Sequence, residues 1–462
     1  MANDTPIPLG LPTPPRPPTG ATGGSALPQH PGPSGGFGVS TLPTAATVLA
    51  GPHEPATSLY IHTPFCVHKC HYCDFYSFVD NRDQQAAYVE RLISELRFLG
   101  HHAGARPLKS IFIGGGTPSL LRVELWVKLL AALGACFDLS AIAASTPALH
   151  ADGLNDSPEF TVECNPESAS PELLTALRAG GVNRVSLGAQ SFIPRHLKTL
   201  ERWHDPENVA RAIGAARAAG IPRQSIDLIF AIPGQTLDEW RSDLDLALAL
   251  NTTHLSCYNL TYEPNTPMTV RLKRGEFTPV DEDLEADMFT LFGDLLAAKG
   301  LARYEVSNYA RPGHESAHNL AYWRQESWLA AGPSASGHVR TTVESSRGPL
   351  IAGHRWKNAP NLGTYLASEA GPAPIADHEA PDPARYVREL LMMGLRLSCG
   401  VGWREIAAMA ESASPGAAGR LEKLAAGFVG DGLLEAVGGR WRVTHRGWLL
   451  ADFIAKKMMA AV

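Results

Sequence analysis

From residue 57 onward the chain repeats one pattern, a short apolar run followed by a longer stretch with apolar residues at helical spacing. The runs are 58–62 (SLYIH), 109–114 (KSIFIG), 159–164 (EFTVEC), 183–188 (NRVSLG), 225–231 (SIDLIFA) and 254–260 (HLSCYNL). Apolar runs this short suit strands of a parallel sheet covered on both faces, and parallel strands need a crossover between them. The intervening segments supply it: Val89, Leu92, Ile93 and Leu96 share one helical face, as do Leu284, Met288, Leu291, Phe292 and Leu295. Six such repeats predict an α/β fold over 57–300, a full or incomplete barrel with its site at the C-terminal ends of the strands.

The flanks differ in texture. Residues 1–56 hold 13 prolines and 9 glycines, with Asp4, Arg16 and Glu54 as the charged residues, so a disordered arm is expected there. A polar insertion is expected near 138–158. Residues 301–367 read as a mixed extension carrying Tyr304, Tyr309, Tyr322, Trp323, Trp328 and Trp356, and 368–383 as a linker rich in Ala, Pro and Asp. Beyond it, 384–462 read as three helical segments followed by LLEAV, Gly438, Gly439 and RWRV, a hairpin signal that makes this unit resemble a winged helix. Residues 381–462 carry 11 basic and 8 acidic side chains, too balanced for DNA, and the whole chain has a formal charge of −6, so nucleic acid is not an expected partner. No apolar stretch approaches the roughly 18 residues of a membrane span. The first residues lack the basic and apolar regions of a secretory signal, and a reducing cytoplasm is the expected compartment.

Three of the seven cysteines fall in Cys66-Val-His-Lys-Cys70-His-Tyr-Cys73, directly after the first candidate strand. Thiolates at this spacing can converge on one metal centre. A four-iron cluster with three protein ligands would keep one iron open for a substrate's amine and carboxylate. A zinc ion would want a closed shell, which His68 or His71 could complete, and three incidental cysteines are the third reading. Cys136, Cys164, Cys257 and Cys399 have no partner spacing and are expected in the core.

The wider context carries a resemblance. Tyr60-Ile-His-Thr-Pro-Phe-Cys66, the three cysteines and Gly114-Gly-Gly-Thr-Pro-Ser119 are similar to radical S-adenosylmethionine (SAM) enzymes. Glu163-Cys-Asn-Pro, Asn183-Arg-Val-Ser-Leu-Gly-Ala-Gln-Ser-Phe192, Ile226-Asp-Leu-Ile, Pro233-Gly-Gln-Thr236 and Leu260-Thr-Tyr-Glu-Pro-Asn-Thr266 resemble the oxygen-independent coproporphyrinogen III oxidase family, over about residues 57–450. The resemblance implies a partial (β/α)6 radical SAM barrel with a small C-terminal domain. It also implies a 4Fe-4S cluster on Cys66, Cys70 and Cys73, and SAM contacts from Tyr60, Tyr72, Gly115, Gly116, Thr117, Glu163, Gln190, Arg202, Asp227 and Thr261. A cluster of this kind needs an electron donor.

Two features resemble the haem-chaperone branch of that family. Phe75 stands where the decarboxylating branch has a further cysteine, and His318-Asn319-Leu-Ala-Tyr322-Trp323 matches a motif associated there with haem. On a helix His318 and Tyr322 sit one turn apart, an imidazole for iron and aromatics for a porphyrin plane, with a satisfied structural histidine as the alternative. The resemblance thus implies haem binding by His318, Asn319, Tyr322 and Trp323 and delivery to an acceptor protein. Decarboxylation of coproporphyrinogen III is the alternative, and no catalytic residue is assigned. The branch often has glycine and histidine where this chain has Ser334 and Ser336.

Overall fold

All six expected runs are strands in the computed structural model, which describes residues 44–102, 106–145, 147–346 and 348–462. They are β1 (Ser58–Thr63), β2 (Ser110–Gly115), β3 (Glu159–Cys164), β4 (Arg184–Gln190), β5 (Arg223–Phe230) and β6 (His254–Asn259), paired in parallel in that order. The principal helix after each strand is, in turn, Gln85–His102, Val123–Cys136, Pro171–Ala179, Glu207–Ala218, Leu237–Ala249 and Glu282–Ala298. The architecture is α/β, with the six repeats as an incomplete barrel. Val89, Leu92, Ile93 and Leu96 are buried as expected, and Met288 and Phe292 are buried with Leu284, Leu291 and Leu295 packed beside them.

Side chains alternate across these strands, and the two faces have opposite character. Leu59, Ile111, Val162, Leu187, Ile226 and Leu255 belong to the apolar core between sheet and helices. The other face turns polar groups into the lumen, where they satisfy one another. Ser110 donates to Ser58 at 2.8 Å, Thr161 to Glu159 at 2.9 Å, and Ser186 and Ser256 to Asp227 at 3.1 and 2.7 Å.

The sheet continues beyond the barrel strands. β7 (Ala302–Arg303) and β8 (Asn308–Ala310) add antiparallel strands beside β6, while β9 (Trp328–Ala331) pairs parallel with β1. β10 (Ser336–Val343), β11 (Leu350–Asn358) and β12 (Ile375–Glu379) then extend that edge antiparallel, giving twelve strands. β12 lies inside the expected linker, so 368–383 is not a plain tether. The same stretch supplies the Gly371 and Pro372 carbonyls that accept from Arg91, and its Ala373 N–H donates to the buried Glu95.

The arm also departs from expectation at its C-terminal end; residues 1–43 lie outside the described residues. Thr44 caps a short helix, Ala45–Ala50, whose Ala45, Val48 and Leu49 join the main core. Glu54 ties down the following turn by pairing with Arg340. Averaging composition over 56 residues hid this apolar TAATVLA stretch.

In the C-terminal unit, helices Pro383–Gly394, Trp403–Ala413 and Ala417–Gly430 precede the hairpin Leu434–Val437 and Arg440–Val443. Gly438 and Gly439 take φ of 60° and 75°, the left-handed pair that a two-residue hairpin turn requires. Val387, Leu391, Leu421, Phe428, Trp441 and Ile454 form a second core. No helix among the described residues is long and apolar enough to cross a membrane.

Candidate cofactor and ligand site

The cysteines lie on the loop after β1, anchored by the Gly116 and Thr117 N–H groups, which donate to Thr63 and Phe65 at 2.7 Å each. Cys70 is buried, and Cys66 and Cys73 are half-buried. Thr117 donates to the Cys66 Sγ at 3.5 Å, and the Arg202 guanidinium lies 3.8 Å from the Cys70 Sγ. Burial pushes the Cys73 thiol up to about 11 against a hydrogen bond from the Phe75 backbone, and like charge at Cys70 and Cys66 adds to the rise. Among the described residues no three His, Cys, Asp or Glu side chains form a ready-made metal site, so the thiols neighbour one another without converging. The histidines that could close a zinc shell are engaged elsewhere. His68 stacks on Trp203 with centroids 3.9 Å apart, and the His71 Nδ1 lies 3.4 Å from Arg271. Three soft donors with mutual repulsion and a neighbouring cation fit a centre that takes three thiolates from one loop.

The glycine run at the end of β2 is sterically required. A side chain at Gly115, whose φ is 102°, would sit 2.4 Å from the His62 ring, and one at Gly114 would sit 2.7 Å from the Glu163 carboxylate. The freed Gly115 N–H donates to Glu163 at 3.0 Å. Burial, and then the neighbouring Asp227, raise the Glu163 carboxyl to about 7, and burial raises Asp227 as well despite its hydroxyl donors. Two buried carboxylates facing one space favour a cationic occupant. At the end of β4 a bulge puts Gln190 at φ 64°, and Gln190 and Arg202 meet over Gly188, where an added Cβ would lie 2.7 and 2.9 Å from them.

Part of this set faces a cavity of about 660 Å³, within the range of small-molecule sites, while Gly116, Thr117, Gln190, Arg202 and the three cysteines lie outside its lining. Tyr60, Gly115, Glu163 and Asp227 line it, and so do Asn319 and Tyr322 of the expected haem motif, with Phe75, Ser334 and Ser336. Ser334 holds a φ of 68°, a backbone that favours glycine. Tyr72 packs against Leu200 and Met268, and Thr261 is exposed past the end of β6, so neither lines the cavity.

The motif forms the helix Ala317–Trp323, whose first turn is held by Glu159, accepting from the Ser316 hydroxyl at 2.9 Å and the Ala317 N–H at 3.1 Å. His318, the expected iron ligand, is engaged at both ring nitrogens. It is 1% exposed, with Nδ1 2.9 Å from Ser110 and Nε2 3.0 Å from the Tyr322 hydroxyl. Ser110 spends its proton on Ser58, so the His318 Nδ1–H donates to Ser110 and the Nε2 accepts from Tyr322. Burial lowers this imidazole to about 4, which keeps it neutral and fixed in that tautomer. Trp323 packs behind the helix with Tyr304 and Leu320, away from the cavity.

Glu163 yields a pH prediction. Its carboxyl loses a proton near 4.5 in the unfolded chain and near 7 in the folded one, so the folded state holds the proton more tightly. Folding is then opposed increasingly as pH rises through that window, by on the order of 3 kcal/mol. Ligand-free Glu163→Gln is expected to exceed the parent's stability at pH 8 and to match it near pH 4 in urea denaturation. An equal or lower stability at pH 8 would contradict the assignment.

Sequence reasoning missed Lys69, Arg184, Ser186, Ser256, Tyr258, Trp328 and Lys357, all of which line the cavity. A signal was present for four of them. Arg184 and Ser186, then Ser225 and Asp227, then His254, Ser256 and Tyr258 recur at every second position of otherwise apolar strands. That period marks a polar lumen. Lys357 and Trp328 arrive from β11 and β9, whose pairing no local pattern announces.

Residues 60–247 match the Radical SAM superfamily and 382–450 the HemN C-terminal domain. The chain is 34% identical over 405 residues to the heme chaperone HemW of Mycobacterium tuberculosis, covering 87% of this chain and 94% of that protein. It is 39% identical over 288 residues to HemW of Escherichia coli, covering 62% of this chain and 71% of that protein. The solved structure of coproporphyrinogen III oxidase (HemN) from Escherichia coli superposes with a TM-score of 0.71 at 22% identity, over 90% of this chain and 92% of that one, a likeness of fold. With a relative this similar spanning nearly its whole length, the chain belongs to the HemW family of radical SAM proteins.

Proposed function

We propose that this protein is a haem chaperone, binding haem in the lumen cavity beside a SAM-type cluster site and passing it unaltered to an acceptor protein. The observation that carries this reading is the shared cavity: Asn319 and Tyr322 line the same space as Gly115, Glu163 and Asp227. Phe75 lines it too, where a decarboxylating relative would offer another cysteine. The names of the HemW relatives support the haem reading.

Cys66, Cys70 and Cys73 would hold a 4Fe-4S cluster and leave one iron to SAM; when bound, that pair supplies one-electron chemistry. The chain's own part is binding and orientation. Arg202 offsets charge at Cys70, and Gly115 leaves room for close approach of a ligand to the backbone. Glu163 and Asp227 offer carboxylates to a cation. His318 acts behind the site, presenting the Tyr322 hydroxyl from a fixed ring.

The test is a haem titration of the anaerobically reconstituted protein. Asn319→Ala and Tyr322→Ala are expected to weaken haem binding by about tenfold or more, as loss of a contact worth ~1.4 kcal/mol does, whereas Trp323→Phe leaves it unchanged. Absence of saturable haem binding, or equal binding by all variants, would overturn the reading.

A further inference from the structure

Aromatic side chains line much of the cavity. Tyr322 packs on Trp328 with centroids 4.5 Å apart and Phe112 lines the space with them, while Phe75 and Tyr76 of the cysteine loop add rings near the C-terminal ends of the strands. Lys69 and Lys357 stand towards those same ends. Lys69 belongs to the cysteine loop, and its ammonium donates to the Phe75 carbonyl at 3.1 Å, leaving two further donor hydrogens. Lys357 lies opposite Ser336 in the β10–β11 register, and its charge contributes to lowering the His62 pKa near the end of β1. No hydrogen bond or ion pair engages Lys357 among the described residues, even though Asp377 faces it across β12.

The remaining lining charges do not duplicate this pair. Arg184 is turned to Thr161 and Glu159, at 3.4 and 4.0 Å. Glu163 and Asp227 are buried carboxylates, Glu163 near the end of β3, and Asp74 is the exposed carboxylate of the cysteine loop. An ammonium without a protein partner beside an aromatic cavity is a receptor for a carboxylate on an apolar body.

We propose that Lys69 and Lys357 are the recognition site for the propionate carboxylates of the cavity's porphyrin ligand. This rests on the haem reading above and adds to it what selects the ligand: a charged edge is read by the lysines, and the ring by the aromatic wall. The recognised class is a macrocycle with ionised carboxylates, and a ring with masked carboxylates is discriminated against.

The test compares haem with haem dimethyl ester, which keeps the ring and iron and masks both carboxylates, using absorbance titration of the full reconstituted chain. The parent is expected to bind haem about tenfold more tightly than the ester, the scale of two partly exposed ion pairs. Lys357→Ala should weaken haem by several-fold and leave the ester unchanged, and Lys69→Ala/Lys357→Ala should bring the two affinities together. Lys357→Arg should preserve the preference, which a loss of folding could not do. Equal affinity of the parent for haem and ester would overturn the lysine assignment while the haem reading stands. Equal weakening of both ligands in Lys357→Ala would overturn it as well, and binding of neither ligand by the parent would overturn the haem reading itself.

Discussion

Replacing Cys66, Cys70 or Cys73 by serine is expected to abolish the iron–sulfur absorbance of the anaerobically reconstituted protein and to lower its bound iron to the background level. Each substitution exchanges a soft thiolate for a hard, weakly acidic hydroxyl. With three thiolates on one loop there is no fourth to compensate. His68 is stacked on Trp203 and the His71 ring lies against Arg271, so neither stands ready to replace a lost ligand. Cys164 and Cys257 are packed in the main core and Cys399 in a smaller cluster. Cys399→Ser is therefore the matched control, expected to keep full iron content. Unchanged iron in all three loop variants would remove the cluster assignment.

The second large effect lies in the insertion. The segment near 138–158 contains a short helix, Ser140–Ala144, and then folds against both ends of the motif helix. Asp152 accepts from the Arg324 Nε and Nη2 at 2.8 Å each, with side chains 6% and 8% exposed. Asn155 donates to the Glu315 carbonyl at 2.7 Å, at the helix's other end. Asp152→Ala leaves a buried guanidinium with weaker contacts to Asp156 and Glu326 at 3.9 and 4.0 Å. Loss of a buried partner of this kind costs about 3 to 5 kcal/mol. The Asp152 carboxyl is held well below the usual range by hydrogen bonds from His150 and Arg324, which outweigh burial. Its contribution is therefore complete above the unfolded carboxyl pKa near 4 and fades only in stronger acid. Urea denaturation at pH 7 measures the loss, and Asp152→Ala/Arg324→Met should be less destabilised than the two single variants summed. A loss below about 1 kcal/mol would mean that the pair is effectively solvated.

The barrel was legible because periodicity is local. Each strand's apolar run and each helix's apolar face are written within a dozen residues, and β3 was read to the residue. The cysteine loop and the glycine run were legible for the same reason, as contiguous motifs. What escaped depends on long-range pairing. β12 is short and amphipathic in no obvious way, and it exists because β11 offers it an edge. Lys357 reaches the cavity through that same extension. His318 is half legible: a helix places it beside Tyr322, but only the fold brings Ser110 to its other nitrogen and makes the imidazole a buried, neutral brace.

The most direct measurement incubates the reconstituted protein with SAM and reductant, once with haem and once with coproporphyrinogen III, and analyses the tetrapyrroles afterwards. One haem is expected to be held per chain and recovered chemically unchanged, with the coproporphyrinogen carboxyl groups intact. Protoporphyrinogen formed together with 5′-deoxyadenosine would contradict it and identify a decarboxylase.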